Sequence, residues 1–146
     1  MKLKKPKRPT PSSSRPGAVR LTRPDTARAQ AIALEAARAG LDKKAGGVEI
    51  IDVTGKVDYA DYLVVMTGQS DRHVAAIADS VEAELAKSGT RAISTEGLPV
   101  AEWVLIDFVD VVVHVFVEEL RSLYDLDGLW MDARRIPVPD DAPGGG

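Results

Sequence analysis

No cysteine occurs in the 146 residues, which excludes disulfide frameworks and cysteine-ligated zinc and suits a reducing compartment. Histidine is almost as scarce: His73 and His114 are the only two, a poor basis for a metal site. Aromatic side chains are few, and all seven lie between Tyr59 and Trp130. No apolar run approaches the roughly 20 residues needed to cross a bilayer, and no secretory segment is read. Acidic residues are missing from residues 1–24, where eight basic ones stand. All 22 acidic side chains therefore fall in the remainder, against 11 basic ones, although the formal charge of the whole is only −3. A body that acidic repels bare nucleic acid and attracts a basic surface, so its expected partner is a basic protein.

Five of the nine prolines and a Ser12-Ser13-Ser14 run also fall in residues 1–24, with few large apolar residues. Such a segment cannot bury enough surface to offset its ordering entropy, so residues 1–24 are expected to be a disordered basic arm. Three roles fit it: weak contact with RNA, a silent extension, or an organelle transit peptide. The prolines oppose the amphipathic helix that the last would need.

Length and mass leave room for one domain, expected over residues 25–133. Pro24-Asp25 suits the start of a helix reaching Gly40 or Leu41, with Ala27, Ala31, Leu34 and Leu41 on its apolar face. Val48–Val53 and Tyr62–Met66 read as strands. Ser70 is placed to cap a helix from Asp71 to Lys87, whose Val74, Ile77, Val81 and Leu85 form an apolar stripe. Arg91–Thr95 reads as a short edge strand. Trp103–Phe108 and Val111–Val117 read as a hairpin. The second is apolar at nearly every position, as a strand covered on both faces must be. A last helix is expected from Glu118 to Trp130, with Leu120, Leu123, Tyr124 and Leu126 inward, and residues 134–146 as a disordered tail. The order αββαβββα describes a single α/β domain: a five-stranded mixed sheet with helices on both faces.

Thr67-Gly68-Gln69-Ser70 before a helix could cradle a phosphate, or could simply cap that helix. Nucleotidyl transfer also needs a carboxylate pair to hold magnesium, and the strand after the helix offers none. Asp107 and Asp110, three apart, would face opposite sides of an extended chain. Ser70, His114 and Asp107 lack the Gly-x-Ser-x-Gly context of a nucleophile elbow, and a mid-strand histidine is commonly a hydrogen-bonded core residue. No catalytic residue, metal or cofactor is assigned. Trp103, at an element boundary, is either core or a docking anchor.

Several stretches, in order, resemble the ribosomal silencing factor family, also called Iojap. They are Leu41-Asp42-Lys43-Lys44-Ala45, Asp61 to Gly68, Gln69 to Val74, Ala76 to Asp79, Glu96-Gly97, Trp103 to Phe116, and Glu118-Glu119 through Leu129-Trp130. Val109 departs from a frequent glycine, and Leu123 from a frequent tyrosine. The resemblance implies a nucleotidyltransferase-like fold without established transferase activity. It also implies a cytoplasmic translation repressor that binds the large ribosomal subunit through ribosomal protein fourteen, blocks subunit joining when nutrients run short, and has relatives in large-subunit biogenesis. Trp103, Asp107 and Asp110, with Asp61, Tyr62 and Glu96, are its expected partner-binding residues. Weak rRNA contact through the arm, no membrane, and a monomer or weak homodimer complete the expectation.

Overall fold

The computed structural model describes residues 23–138, with side chains from Ala27 onward. The expected disorder of residues 1–22 and 139–146 thus lies outside the described residues, whereas Arg23 and Pro24, expected in the arm, open the first helix. The elements are α1 (Arg23–Asp42), β1 (Gly46–Asp52), β2 (Tyr62–Gly68), α2 (Asp71–Lys87), β3 (Ser94–Glu96), β4 (Trp103–Asp107), β5 (Val111–Val117), α3 (Glu118–Tyr124), α4 (Leu126–Leu129) and β6 (Arg134–Ile136). They form an α/β domain on a six-stranded mixed sheet, ordered β3-β4-β5-β2-β1-β6. Only β2 and β5 are parallel, from Tyr62 opposite Val111 to Gly68 opposite Val117; every other neighbour is antiparallel.

These two central strands are buried almost throughout because both faces of the sheet are covered. One face carries Tyr62, Val64, Met66, Val104, Ile106, Val111, Val113 and Val115, packed under α1 and α2. On α2 the predicted Val74, Ile77, Val81 and Leu85 are fully buried, each contributing about 1.5–3 kcal/mol of transfer free energy. Ser70 caps α2, accepting the His73 N–H at 3.1 Å. The stripe on α1 is not the predicted one: Ala29, Ala33, Ala36 and Ala37 are buried, while Ala27, Ala31 and Leu41 are exposed. Alanines recur on every side of this helix, so periodicity could not choose between them. Close approach to the sheet chose the set without long side chains.

The other face carries Leu63, Val65, Leu105, Val112, His114 and Phe116 under α3 and α4. Here the expected single helix to Trp130 breaks at Asp125, whose backbone is left-handed (φ 45°) and whose carboxylate then caps α4 by accepting the Gly128 N–H at 3.0 Å. Leu123 was expected inward but is exposed, because a two-turn helix buries only a narrow stripe, here Leu120 and Tyr124. The tail also begins later than expected. Arg134–Ile136 pairs with β1 as a sixth strand, fixed by ion pairs of Arg134 with Asp52 and Arg135 with Glu49, each at 3.0 Å. Three residues are too few for an alternation to show in sequence.

The β4–β5 turn accounts for the departure at Val109. Asp107 Oδ1 accepts the Val109 N–H at 2.8 Å, and Phe108 N–H bonds the Val111 carbonyl. Closing that turn puts Val109 at φ 80°, where a β-branched residue crowds its own backbone and glycine does not. Val109 is 40% exposed, so burial offsets only part of the strain. Val109→Gly is therefore expected to raise stability by about 1 kcal/mol in chemical denaturation, with an unchanged dependence on denaturant.

Candidate functional site

The six expected docking residues do not form one surface patch. Trp103 opens β4 and Asp107 closes it, roughly 13 Å apart on the same face. Asp61, Tyr62, Asp107 and Asp110 gather at one end of the sheet, where the Asp110 carbonyl accepts the N–H groups of Asp61 at 2.8 Å and Tyr62 at 3.2 Å. Glu96 lies on the edge strand β3, opposite Leu105. Trp103, Asp107, Asp61 and Tyr62 are buried, while Asp110 and Glu96 are half-buried. The Tyr62 side chain points to the opposite face, towards α1, where its hydroxyl donates to Gln30 Oε1 at 3.4 Å. Burial pushes that phenol above its ordinary 10.0, and the charges of Asp52 and Asp61 push it the same way against Arg134.

Trp103 is 9% exposed and sits in an aromatic cluster on the α3–α4 face. Its ring centroid lies 4.8 Å from Tyr124, 5.2 Å from Phe116 and 5.9 Å from His114. The indole Nε1–H donates to His114 Nδ1 at 3.1 Å, which engages the nitrogen that a general base would use. Ser70, beyond the end of β2, caps its helix from another part of the fold. No triad is assembled from these residues.

Beside this cluster is a cleft of about 70 Å³, lined by residues including Tyr59, Leu63, Leu105, Leu126, Leu129 and Trp130. Around it α3, α4 and the residues after them expose Leu123 (61%), Leu129 (64%) and Met131 (68%). Exposed carboxylates of Glu118, Glu119, Asp125 and Asp132 rim the same stretch. Sequence reading missed this surface. Its one available signal was the set of large apolar residues after Leu120, more than a two-turn helix can bury.

Arg121 holds this surface to the sheet. Its Nε and Nη2 each donate to Asp127 at 3.0 Å, and Nη1 donates to the Gly47 carbonyl at 2.6 Å and to Thr67 Oγ1 at 3.0 Å. These Arg121 bonds hold the Asp127 carboxyl below its ordinary 3.8; burial opposes them, and the charges of Arg121 and Arg135 add to them. A second cavity, of about 340 Å³, opens beside Arg121 at the carboxyl ends of β2 and β5. Lys44, Gly46, Gly47, Thr67, Gly68, Gln69 and Glu118 complete its lining. Among the described residues no group of three or more His, Asp or Glu could hold a metal ion, and no helix is long and apolar enough to cross a membrane.

A family model described as "Ribosomal silencing factor during starvation" matches residues 26–144. The chain belongs to the ribosomal silencing factor family. The Bacillus subtilis ribosomal silencing factor RsfS is 42% identical over 98 residues, covering 67% of this chain and 83% of that protein. That of Zymomonas mobilis is 41% identical over 90 residues, covering 61% of this chain and 67% of its own. The chloroplastic Iojap protein of Arabidopsis thaliana is 29% identical over 115 residues, and the chain spans 48% of its length. A crystal structure of a Chromobacterium violaceum protein superposes with a TM-score of 0.69 at 33% identity, covering 80% of this chain and 96% of that one. A Bacillus halodurans structure gives 0.66 at 34% identity, covering 75% and 99%.

Two outcomes are expected of this silencing factor. Trp103→Ala should cost about 3–5 kcal/mol of folding stability, and Trp103→Phe, which loses the bond to His114 but keeps a ring, about 1–2 kcal/mol, by chemical denaturation. Arg121→Ala should cost about 2 kcal/mol near neutral pH. The folded Asp127 carboxyl titrates below its unfolded value, so the ion-pair part of that difference is complete above 3.8. It should shrink as pH falls below 3.8, in denaturation curves of the two proteins between pH 7 and 2.5.

Proposed function

We propose that this silencing factor acts by occupying a surface of the ribosome, without catalysis. Translation regulation through ribosome association is the role its family carries. The finer reading is that it docks on ribosomal protein fourteen of the large subunit, keeps the small subunit from joining, and so represses translation when nutrients are limiting. The site of this action is the cytoplasm, and the acting species is a monomer or weak homodimer.

The observation that carries this reading is the surface of α3 and α4: exposed Leu123, Leu129 and Met131 on the same short stretch as the exposed carboxylates of Glu118, Glu119, Asp125 and Asp132. Apolar anchors within an acidic rim suit a basic protein, since the first supply burial and the second long-range attraction. The neighbouring cleft, at about 70 Å³, is well below the roughly 300–1,000 Å³ of small-molecule sites but accepts one partner side chain. Trp103 serves this surface from beneath, by holding Tyr124 and α3 against the sheet. Steric exclusion needs no chemistry. A body of this length has a radius of gyration of about 13 Å, so it is roughly 35 Å across and cannot share a place with a direct subunit contact.

The 340 Å³ cavity near Gly68 has the size for a nucleotide. Its Arg121 is already engaged by Asp127, Gly47 and Thr67, and Glu118 is the single carboxylate in its lining, short of the pair that metal-assisted phosphoryl transfer uses.

Sucrose-gradient sedimentation at low magnesium tests the docking reading. The protein is expected to travel with free large subunits and to reduce joined ribosomes when magnesium is restored. The doubly substituted Leu129→Glu, Met131→Glu protein should fold normally and bind at least tenfold more weakly, about 1.4 kcal/mol. Wild-type binding by that variant, or magnesium-dependent nucleotide transfer abolished by Ser70→Ala, would overturn it.

A further inference from the structure

The loop between α1 and β1 meets the turn between β2 and α2 at one end of the β1–β2 ladder. There Gly46 stands opposite Thr67, and the register shifts before Glu49 pairs with Val65. Lys44, Gly46 and Gly47 from the first segment, and Thr67, Gly68 and Gln69 from the second, are walls of the 340 Å³ cavity. Arg121 ties the two walls together, donating to the Gly47 carbonyl at 2.6 Å and to Thr67 Oγ1 at 3.0 Å. His73, half-buried in the first turn of α2, ties them a second time. Its Nε2 lies 2.7 Å from the Lys43 carbonyl, and its Nδ1 accepts the Gln69 N–H at 2.9 Å.

These two bonds permit one protonation state. A carbonyl only accepts, so Nε2 carries the proton; the Gln69 amide only donates, so Nδ1 carries none. A second proton must therefore enter at Nδ1. It leaves the Lys43 bond in place and sets two N–H groups against each other at the Gln69 end. The positive end of the α2 dipole also opposes the added charge. We propose that His73 is a proton-sensitive clip. Neutral, it ties the β2–α2 turn to the α1–β1 loop; protonated, it lets go of Gln69 and frees that wall of the cavity. Histidine suits such a device, because it is the side-chain type whose charge ordinarily changes between about pH 5 and 8.

The charged groups of the surrounding elements are Asp42, Lys43 and Lys44 at the end of α1 and in its loop, Asp71 and Arg72 on α2, and Glu118 and Arg121 across the cavity. None of the ion pairs among the described residues involves His73. A guanidinium does not lose its proton in proteins, so the two ties respond differently to acid: the Arg121 tie keeps its charge state and the His73 tie does not. They meet at the β2–α2 turn, where Thr67 receives Arg121 and Gln69 follows two residues later. Release at Gln69 therefore acts next to the bond through which Arg121 anchors α3 to the sheet.

Nuclear magnetic resonance of the isotope-labelled full chain tests the clip. At about pH 7.5 the imidazole nitrogen shifts of His73 are expected to show a proton on Nε2 alone. Protection of the Gln69 amide from solvent exchange, corrected for the intrinsic rate, is expected to fall about three- to tenfold as the ring gains its second proton. The amides of Val81 and Leu85, in the middle of α2, serve as internal reference and should keep their protection. His73→Asn places a carboxamide oxygen near the position of Nδ1 and does not titrate, so Gln69 should stay protected throughout. His73→Ala should leave Gln69 unprotected at every pH. A proton on Nδ1 at neutral pH, or a ring that stays neutral down to about pH 5, overturns the proposal. So does unchanged protection of Gln69 once the ring is charged. An acid loss shared by Val81 and Leu85, or equal in wild type and His73→Asn, assigns the change to general loosening and overturns it too. Should either variant fail to fold, the ring and amide measurements on the wild type still decide.

Discussion

Two parallel strands lie side by side at the centre of this domain, and the rest of the structure depends on burying both of their faces. Strands β2 and β5 present apolar side chains to both sides, so neither can border water. Parallel neighbours also cannot be joined by a tight turn; the chain must leave the sheet and return. Helix α2 makes part of that crossing and, with α1, seals one face. The other face must be closed by the segment after β5, and the helices of that segment are short.

That shortage shapes the candidate site. Helix α3 has seven residues and α4 four, with a left-handed Asp125 between them. They cover Trp103 and Phe116 but cannot turn all their own apolar residues inward, so Leu123, Leu129 and Met131 stay exposed. Short helices gain little from their own hydrogen bonds and depend on tertiary anchors. Arg121 and Arg135 supply these. One bonds Asp127, Gly47 and Thr67; the other bonds Glu49 and the carbonyls of Trp130 and Ala133. The surface proposed to meet the ribosome is therefore an add-on tied down by charge-assisted bonds, above a sheet that is stable through burial.

Electrostatic asymmetry joins the fold to its proposed role. Ion pairs consume the arginines of the α3–α4 face and leave a surplus of carboxylates there, while the opposite sign accumulates in the segment ahead of α1. A carboxylate-rich face of this kind suits attraction of a basic partner. Such docking requires no reacting group, which accords with Ser70 capping a helix and His114 accepting a bond from Trp103.

Sequence alone determined the two central strands, helix α2, the β4–β5 hairpin and the family, because each rests on a local pattern. A continuous β-branched run has to be covered twice, four apolar residues at helical spacing form one stripe, and the family's words are contiguous. The positive φ at Val109 was half-visible, as a valine in place of a frequent glycine, but its cause was a turn closed by Asp107. Only the tertiary structure decided which alanines of α1 face the sheet, that Arg134–Ile136 becomes a strand, and that the last helix breaks at Asp125. It also separated residues that sequence had grouped as one site. Trp103 and Asp107 share a strand face, as their spacing required, yet both are buried, because a side chain's direction is local whereas its exposure depends on what later elements lay over it.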